Sequence, residues 1–180
     1  MSYNYYYICA KSDKKYSSIF VDIGCIKGNK KVLVTHIKKN KDFCRGDDLY
    51  EYFLYNIDKN DKNVIYVKKD DSEDILGCCY MTISEMIELV CICVPDKNIK
   101  GVGTLLLNKV KDLAIILNKN IELASVESAK KFYIKYGFEE KEENYHTDMI
   151  LKIQKGGKIN KSIRKYKSKR IRKTNKLYDF

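Results

Sequence analysis

Two glycines set one residue apart open an amphipathic run in Val94-Pro95-Asp96-Lys97-Asn98-Ile99-Lys100-Gly101-Val102-Gly103-Thr104. With no Cβ at Gly101 or Gly103 the backbone can curl tightly. The N–H groups of a following helix's first turn would point into that loop, where the helix dipole adds partial positive charge. Lys97 and Lys100 would add more. Such a loop suits an anion of the pyrophosphate kind; the plainer alternative is a turn and nothing else. A P-loop is excluded because no Gly-Lys-Ser/Thr follows, and a dinucleotide fingerprint lacks its third glycine and its acidic residue. Just upstream, Glu88 is the one charge in the apolar run Met86–Val94. Burial there would make its carboxylate a stronger proton acceptor, which suits a general base. A bulge would upset any parity argument about its face. The alternative is an edge carboxylate facing water, with Glu85 or Tyr80 relaying the proton.

The remaining reactive side chains point elsewhere. Cys9, Cys25, Cys44, Cys78, Cys79, Cys91 and Cys93 contain no C-x-x-C, and His36 and His146 stand at no metal-ligand spacing from them. Most of these cysteines fall inside apolar runs, so the expectation is buried thiols acting as small hydrophobes and no metal site.

The elements that must position these groups follow from periodicity. Residues 3–10 and 31–38 have strand character, while residues 11–30 give no firm reading. Asp47 or Asp48 can cap a helix carrying Leu49, Phe53 and Ile57. Strands are expected at Asn63–Lys69, Ile75–Ser84 and Met86–Val94; the last is apolar on both faces and so central, and Pro95 ends it. Thr104–Leu117 reads as a helix with Leu106, Val110 and Leu113 on one stripe. A strand over Ile121–Ser125 leads to a second helix, capped by Ser125, in which Ala129, Phe132, Tyr133 and Tyr136 stack. Gly137 sits where a left-handed C-cap residue belongs. Phe138–Lys141 and Met149–Ile153 would pair. The order is that of an α/β domain with a mixed sheet.

Three of these segments together resemble the GCN5-related N-acetyltransferase (GNAT) family. The glycine loop resembles that family's acetyl-CoA loop, Gln/Arg-x-x-Gly-x-Gly/Ala, with Asn98 at the Gln/Arg position. Ala129-Lys130-Lys131-Phe132-Tyr133-Ile134-Lys135-Tyr136-Gly137-Phe138 is similar to its Ala-x-x-Phe-Tyr-x-x-x-Gly-Phe helix. Glu88-Leu89-Val90-Cys91-Ile92-Cys93-Val94 is similar to its central strand. The matches span about residues 63–153, and Asn98 and Val126 depart from the pattern. The resemblance implies a mixed, mostly antiparallel sheet flanked by helices and splayed at its central strand to hold acetyl-CoA. It implies Ile92, Val94, Asn98, Ile99, Lys100, Gly101, Val102, Gly103, Thr104, Ala129 and Phe132 as cofactor-binding. Glu88 would be the base and Tyr133 the acid meeting the departing thiolate, with Tyr136 as an alternative. Backbone N–H groups near Ile92–Val94 would meet the oxyanion. Transfer would be direct, without an acyl-enzyme on Cys91 or Cys93. The acceptor would be a primary amine, a protein lysine being favoured by the histone-type loop, with a polyamine or a protein N-terminus open.

Charge divides the chain. Of a net +11, the segment from Lys155 onward holds eleven Lys or Arg against the single acid Asp179. A boundary is therefore expected between a catalytic domain over 1–154 and a basic, disordered tail over 155–180, with Gly156-Gly157 as hinge. That tail could contact nucleic acid non-specifically or serve only as a solvated extension. A catalytically weak GNAT-fold protein acting through the tail is the rival to an enzyme. No run of about 18 apolar residues is present, so no membrane span is expected. Met1–Ala10 does not read as a secretory signal, and an intracellular protein, cytoplasmic or nuclear, is expected.

Overall fold

Near-continuous apolar runs, buried on both faces, build the centre of the sheet. In the computed structural model, which describes residues 3–40, 43, 51, 54–57, 62–70, 72–95, 99–141 and 148–153, three long antiparallel strands lie side by side: β3 (Asn63–Lys69), β4 (Ile75–Ile83) and β5 (Ile87–Cys93). Around them stand β1 (Tyr3–Ile8), β2 (Cys25–Lys27), β6 (Ile121–Ala124), β7 (Glu139–Glu140) and β8 (Asp148–Leu151). Among the described residues these form one eight-stranded sheet in the order β2-β1-β3-β4-β5-β6-β8-β7. Only β1–β2 and β5–β6 are parallel. The expected mixed, mostly antiparallel sheet flanked by helices is the fold found.

Both sheet faces are covered. On one, α3 (Val102–Leu117) lays Leu106, Val110 and Leu113 on Ile65, Met81 and Leu89, joined by Phe20 from α1 (Ser17–Asp22). On the other, α2 (Lys30–Lys39) packs Leu33 and Ile37 on Val64, Tyr66 and Tyr80. The close approach of α3 depends on Gly77: a Cβ there would lie 2.7 Å from Val102 Cγ1 and 2.9 Å from the Cys93 carbonyl oxygen. A parallel pair such as β5–β6 requires a crossover, and α3 is that crossover. Among the described residues no helix is long and apolar enough to cross a membrane.

Four local expectations need correction. Residues 31–38 are helix, not strand: Asn29 accepts from the Lys31 and Val32 N–H groups at 2.9 and 3.4 Å and so caps α2. Ser125 does not cap α4 (Glu127–Lys135); its N-cap is Val126, and the Ser125 hydroxyl donates instead to the Val126 carbonyl at 2.9 Å. Strand β5 is not covered throughout, since its second residue, Glu88, is exposed. Cys25, Cys78 and Cys79 are buried thiols as expected, but Cys93, also buried, is disulfide-bonded. The expected helix after Asp47 falls mostly outside the described residues, although 54–57 are helical. The tail from 155 onward lies outside them entirely.

Candidate active site

The site begins where two strands part. Among the described residues β5 and β6 pair at only two positions, Ile87↔Ile121 and Glu88↔Glu122. Strand β6 then continues against β8 from Ile121 to Ala124, while β5 runs on with β4 to Cys93. The two diverge after Glu88, leaving a wedge whose near wall is the backbone of β5. A β-bulge sharpens the divergence: Met81 faces Leu89 and Tyr80 faces Cys91, so Val90 is an extra residue in β5.

Helix α3 starts beside the end of β5, with Gly103 of its first turn next to Val94 and Phe132. Its N-cap is Gly101, at φ +94°, where an L side chain would be strained and where the residue has no side chain of its own to cap the helix. The first intrahelical bond runs from Leu105 N–H to the Gly101 carbonyl at 3.0 Å. The N–H groups of Val102, Gly103 and Thr104 precede it and point out of the helix end. A Cβ on Gly103 would be in ordinary van der Waals contact with Phe132 Cζ at 3.7 Å and Val94 Cγ2 at 4.0 Å. End of β5, start of α3 and one face of α4 therefore converge on a cradle with open backbone donors.

The sequence-predicted residues fall around this cradle as follows. Ile92 and Val94 are half-buried on β5 and at its exit; Ile99 is half-buried against the core, and Lys100 is exposed. Val102 buries its side chain, so only its backbone reaches the loop. The Thr104 hydroxyl bonds the Tyr136 hydroxyl at 2.7 Å. Ala129 and Phe132 are half-buried on α4, the Phe132 ring lying edge-on to Tyr133 with centroids 5.1 Å apart and tilted against Tyr136 at 4.9 Å. Asn98, with Lys97, lies outside the described residues, as does His146.

Tyr133 and Glu88 occupy opposite sides of the wedge. Burial pushes the Tyr133 hydroxyl up to about 12, with Cys91 and Cys79 nearby adding to the shift. Tyr133 thus keeps its proton at neutral pH and sits within electrostatic reach of β4 and β5. Glu88 is on the other face, the one that carries Tyr80. Its carboxylate accepts from Thr82 Oγ1 at 2.7 Å. Burial, the expected reason for its basicity, is absent. Cys91 remains a thiol: burial pushes it well up, against a hydrogen bond from the Tyr80 side chain.

Three partners escaped the sequence reading. Thr82 pairs directly with Glu88 across the β4–β5 hairpin, and a register centred on Glu85 would have found it. Glu122, opposite Glu88 on β6, forms an ion pair with Lys141. The Thr104–Tyr136 bond joins two motifs 32 residues apart, which no local signal reveals.

Residues 61–140 match the family model of an acetyltransferase (GNAT) domain. The chain is similar in structure to a GNAT-family protein from Desulfovibrio desulfuricans, at 13% identity and TM-score 0.56, over 85% of this chain and 100% of that one. It is similar to the PaiA N-acetyltransferase from Thermoplasma acidophilum, solved in complex with coenzyme A, at 14% identity and TM-score 0.52, over 83% and 97%. It is also similar to Tetrahymena GCN5, at 16% identity and TM-score 0.53, over 86% and 97%. At such identities the likeness is one of fold. No curated protein matches the sequence.

Proposed function

From a chain that carries a GNAT acetyltransferase domain over residues 61–140, we propose an acetyl-CoA-dependent N-acetyltransferase that acts directly on a primary amine, a protein lysine being favoured. The observation that carries this reading is the wedge: β5 leaves β6 after Glu88, and the glycine-led start of α3 lies beside the end of β5, Gly103 next to Val94 and Phe132. Acetyl-CoA fits what is there. The Gly101–Thr104 backbone donors suit a pyrophosphate, Gly103 puts no side chain between that backbone and Phe132 or Val94, and the β5 edge offers main-chain groups to a pantetheine arm. When bound, acetyl-CoA supplies an activated thioester.

The chain's own residues then have separate tasks. An alkylamine is cationic at neutral pH, its pKa being about 10.4, and must lose a proton before it attacks. Glu88, at the apex of the wedge and open to solvent, accepts that proton directly or through water. Main-chain N–H groups near Ile92–Val94 meet negative charge as it develops on the carbonyl oxygen. Tyr133, on the opposite face, holds its proton at Oη for the leaving thiolate. Cys91, kept as a thiol by burial, takes no covalent part.

The favoured acceptor rests on the histone-type sequence Lys100-Gly101-Val102-Gly103-Thr104-Leu105-Leu106-Leu107-Asn108. Mass spectrometry of lysine peptides, spermidine and protein N-termini incubated with the protein and acetyl-CoA tests it. A mass gain of one acetyl group on lysine peptides above the others is expected. Gain on spermidine alone would move the proposal to a small amine, and no gain anywhere would leave the tail-borne binding protein as the better account. For the tail, the proposal is a salt-sensitive, sequence-independent contact with nucleic acid. Deleting 155–180 should abolish binding to an arbitrary duplex and leave acetyl transfer to small acceptors intact.

A further inference from the structure

We propose that Thr82 is the positioning residue of the proton acceptor, holding one oxygen of Glu88 so that the other faces the amine. The inference rests on the N-acetyltransferase reading and deepens it. Thr82 and Glu88 are directly paired in the β4–β5 ladder, one pair beyond Ile83↔Ile87 at the hairpin end. Backbone hydrogen bonds therefore fix both Cα positions, and the Thr82 hydroxyl donates to Glu88 Oε2 at 2.7 Å. A β-branched side chain restricts χ1, so the hydroxyl is held in place before any substrate arrives. Glu88 is otherwise an exposed, rotatable carboxylate, and it is also the last β5 residue paired to β6. On its β6 side stands Glu122, whose charge is matched by Lys141 and which is thereby engaged elsewhere. With Oε2 taken, Oε1 receives the amine proton; the N–H electron pair stays on nitrogen, ready to attack.

Steady-state kinetics on the full chain test this, with acetyl-CoA and either a lysine peptide or spermidine as acceptor. Thr82→Val keeps the shape and removes the donor; kcat should fall about tenfold, the loss of one hydrogen bond to a charged group, while the acceptor KM stays within about twofold. Thr82→Ser should restore most of the rate. On a Glu88→Gln background, Thr82→Val should change kcat by less than about twofold, because the group it positions is gone. Calorimetry with acetyl-CoA checks that each variant is folded, and Thr82→Ala replaces the valine variant if that one loses affinity. A wild-type kcat in Thr82→Val beside an inactive Glu88→Gln would overturn the positioning role alone. So would an equal loss on both backgrounds, which would mark Thr82 as independent of Glu88. Glu88→Gln at wild-type rate would remove base and positioner together. A wild-type chain that binds acetyl-CoA and acetylates neither acceptor would overturn the enzymatic reading, and this inference with it.

Discussion

Tyr133 and Glu88 divide the proposed chemistry by environment. Tyr133 lies among apolar groups and thiols, and burial holds its hydroxyl in the neutral form; Glu88 lies in water, oriented by one threonine. Replacing Tyr133 by Phe keeps the ring packing on Phe132 and Phe138 and removes only the proton donor. kcat should fall about a hundredfold, in the range of general acid catalysis, with acetyl-CoA affinity within about twofold. Stopped assays paired with calorimetry separate the two; equal kcat would transfer the role to Tyr136. Because Tyr133 titrates near 12, the alkaline limb of a pH–rate profile should owe nothing to it below about pH 10.

The crossover helix α3 depends on how closely it approaches β4. Gly77→Ala would force a Cβ against Val102 Cγ1 and the Cys93 carbonyl, neither of which is the end of a flexible side chain. Urea unfolding should show a loss of about 1–3 kcal/mol, the usual range for overpacking, and acetyl-CoA affinity should weaken because the loop rides on α3. An unchanged midpoint would mean that α3 shifts freely. How far such elements can be read from sequence depends on which signal is local. Strands β3, β4 and β5, helices α3 and α4, and the left-handed Gly137 at φ +88° follow from period and punctuation. Val32-Leu33-Val34-Thr35 misleads because its β-branched residues suggest a strand; the Asn29 cap and the i, i+4 pair Leu33 and Ile37 decide for a helix. Exposure of Glu88 is hidden for another reason. An apolar run with a bulge at Val90 has no readable parity, and only tertiary pairing shows which side is covered.

The whole molecule stores protonated thiols and a phenol in its core, and that makes its stability fall on the alkaline side. Burial pushes Cys25 up to about 12 from 9.0 and Tyr133 to about 12 from 10.0. Above pH 9 the unfolded chain releases protons that the folded chain still holds, so the unfolded state binds fewer and the slope of stability against pH is negative. This contribution is fully present below pH 9 and is lost progressively towards pH 12. The melting temperature should drop by about 5 °C or more between pH 8 and pH 10.5, read by scanning calorimetry. A flat or rising profile would show that these groups are more hydrated than the fold implies.

The central claim is that the cradle at the start of α3 holds acetyl-CoA. Calorimetric titration of the full chain with acetyl-CoA, beside a Gly101→Glu, Gly103→Glu double variant, tests it most directly. Carboxylates at a helix N-terminus favour the helix and offset part of the strain that a side chain meets at Gly101, φ +94°; circular dichroism checks that the variant folds, its charge and bulk then occupying the anion site. Micromolar binding by the wild type, lost in the variant, is the predicted result. No binding by the wild type, or equal binding by both, would contradict the account.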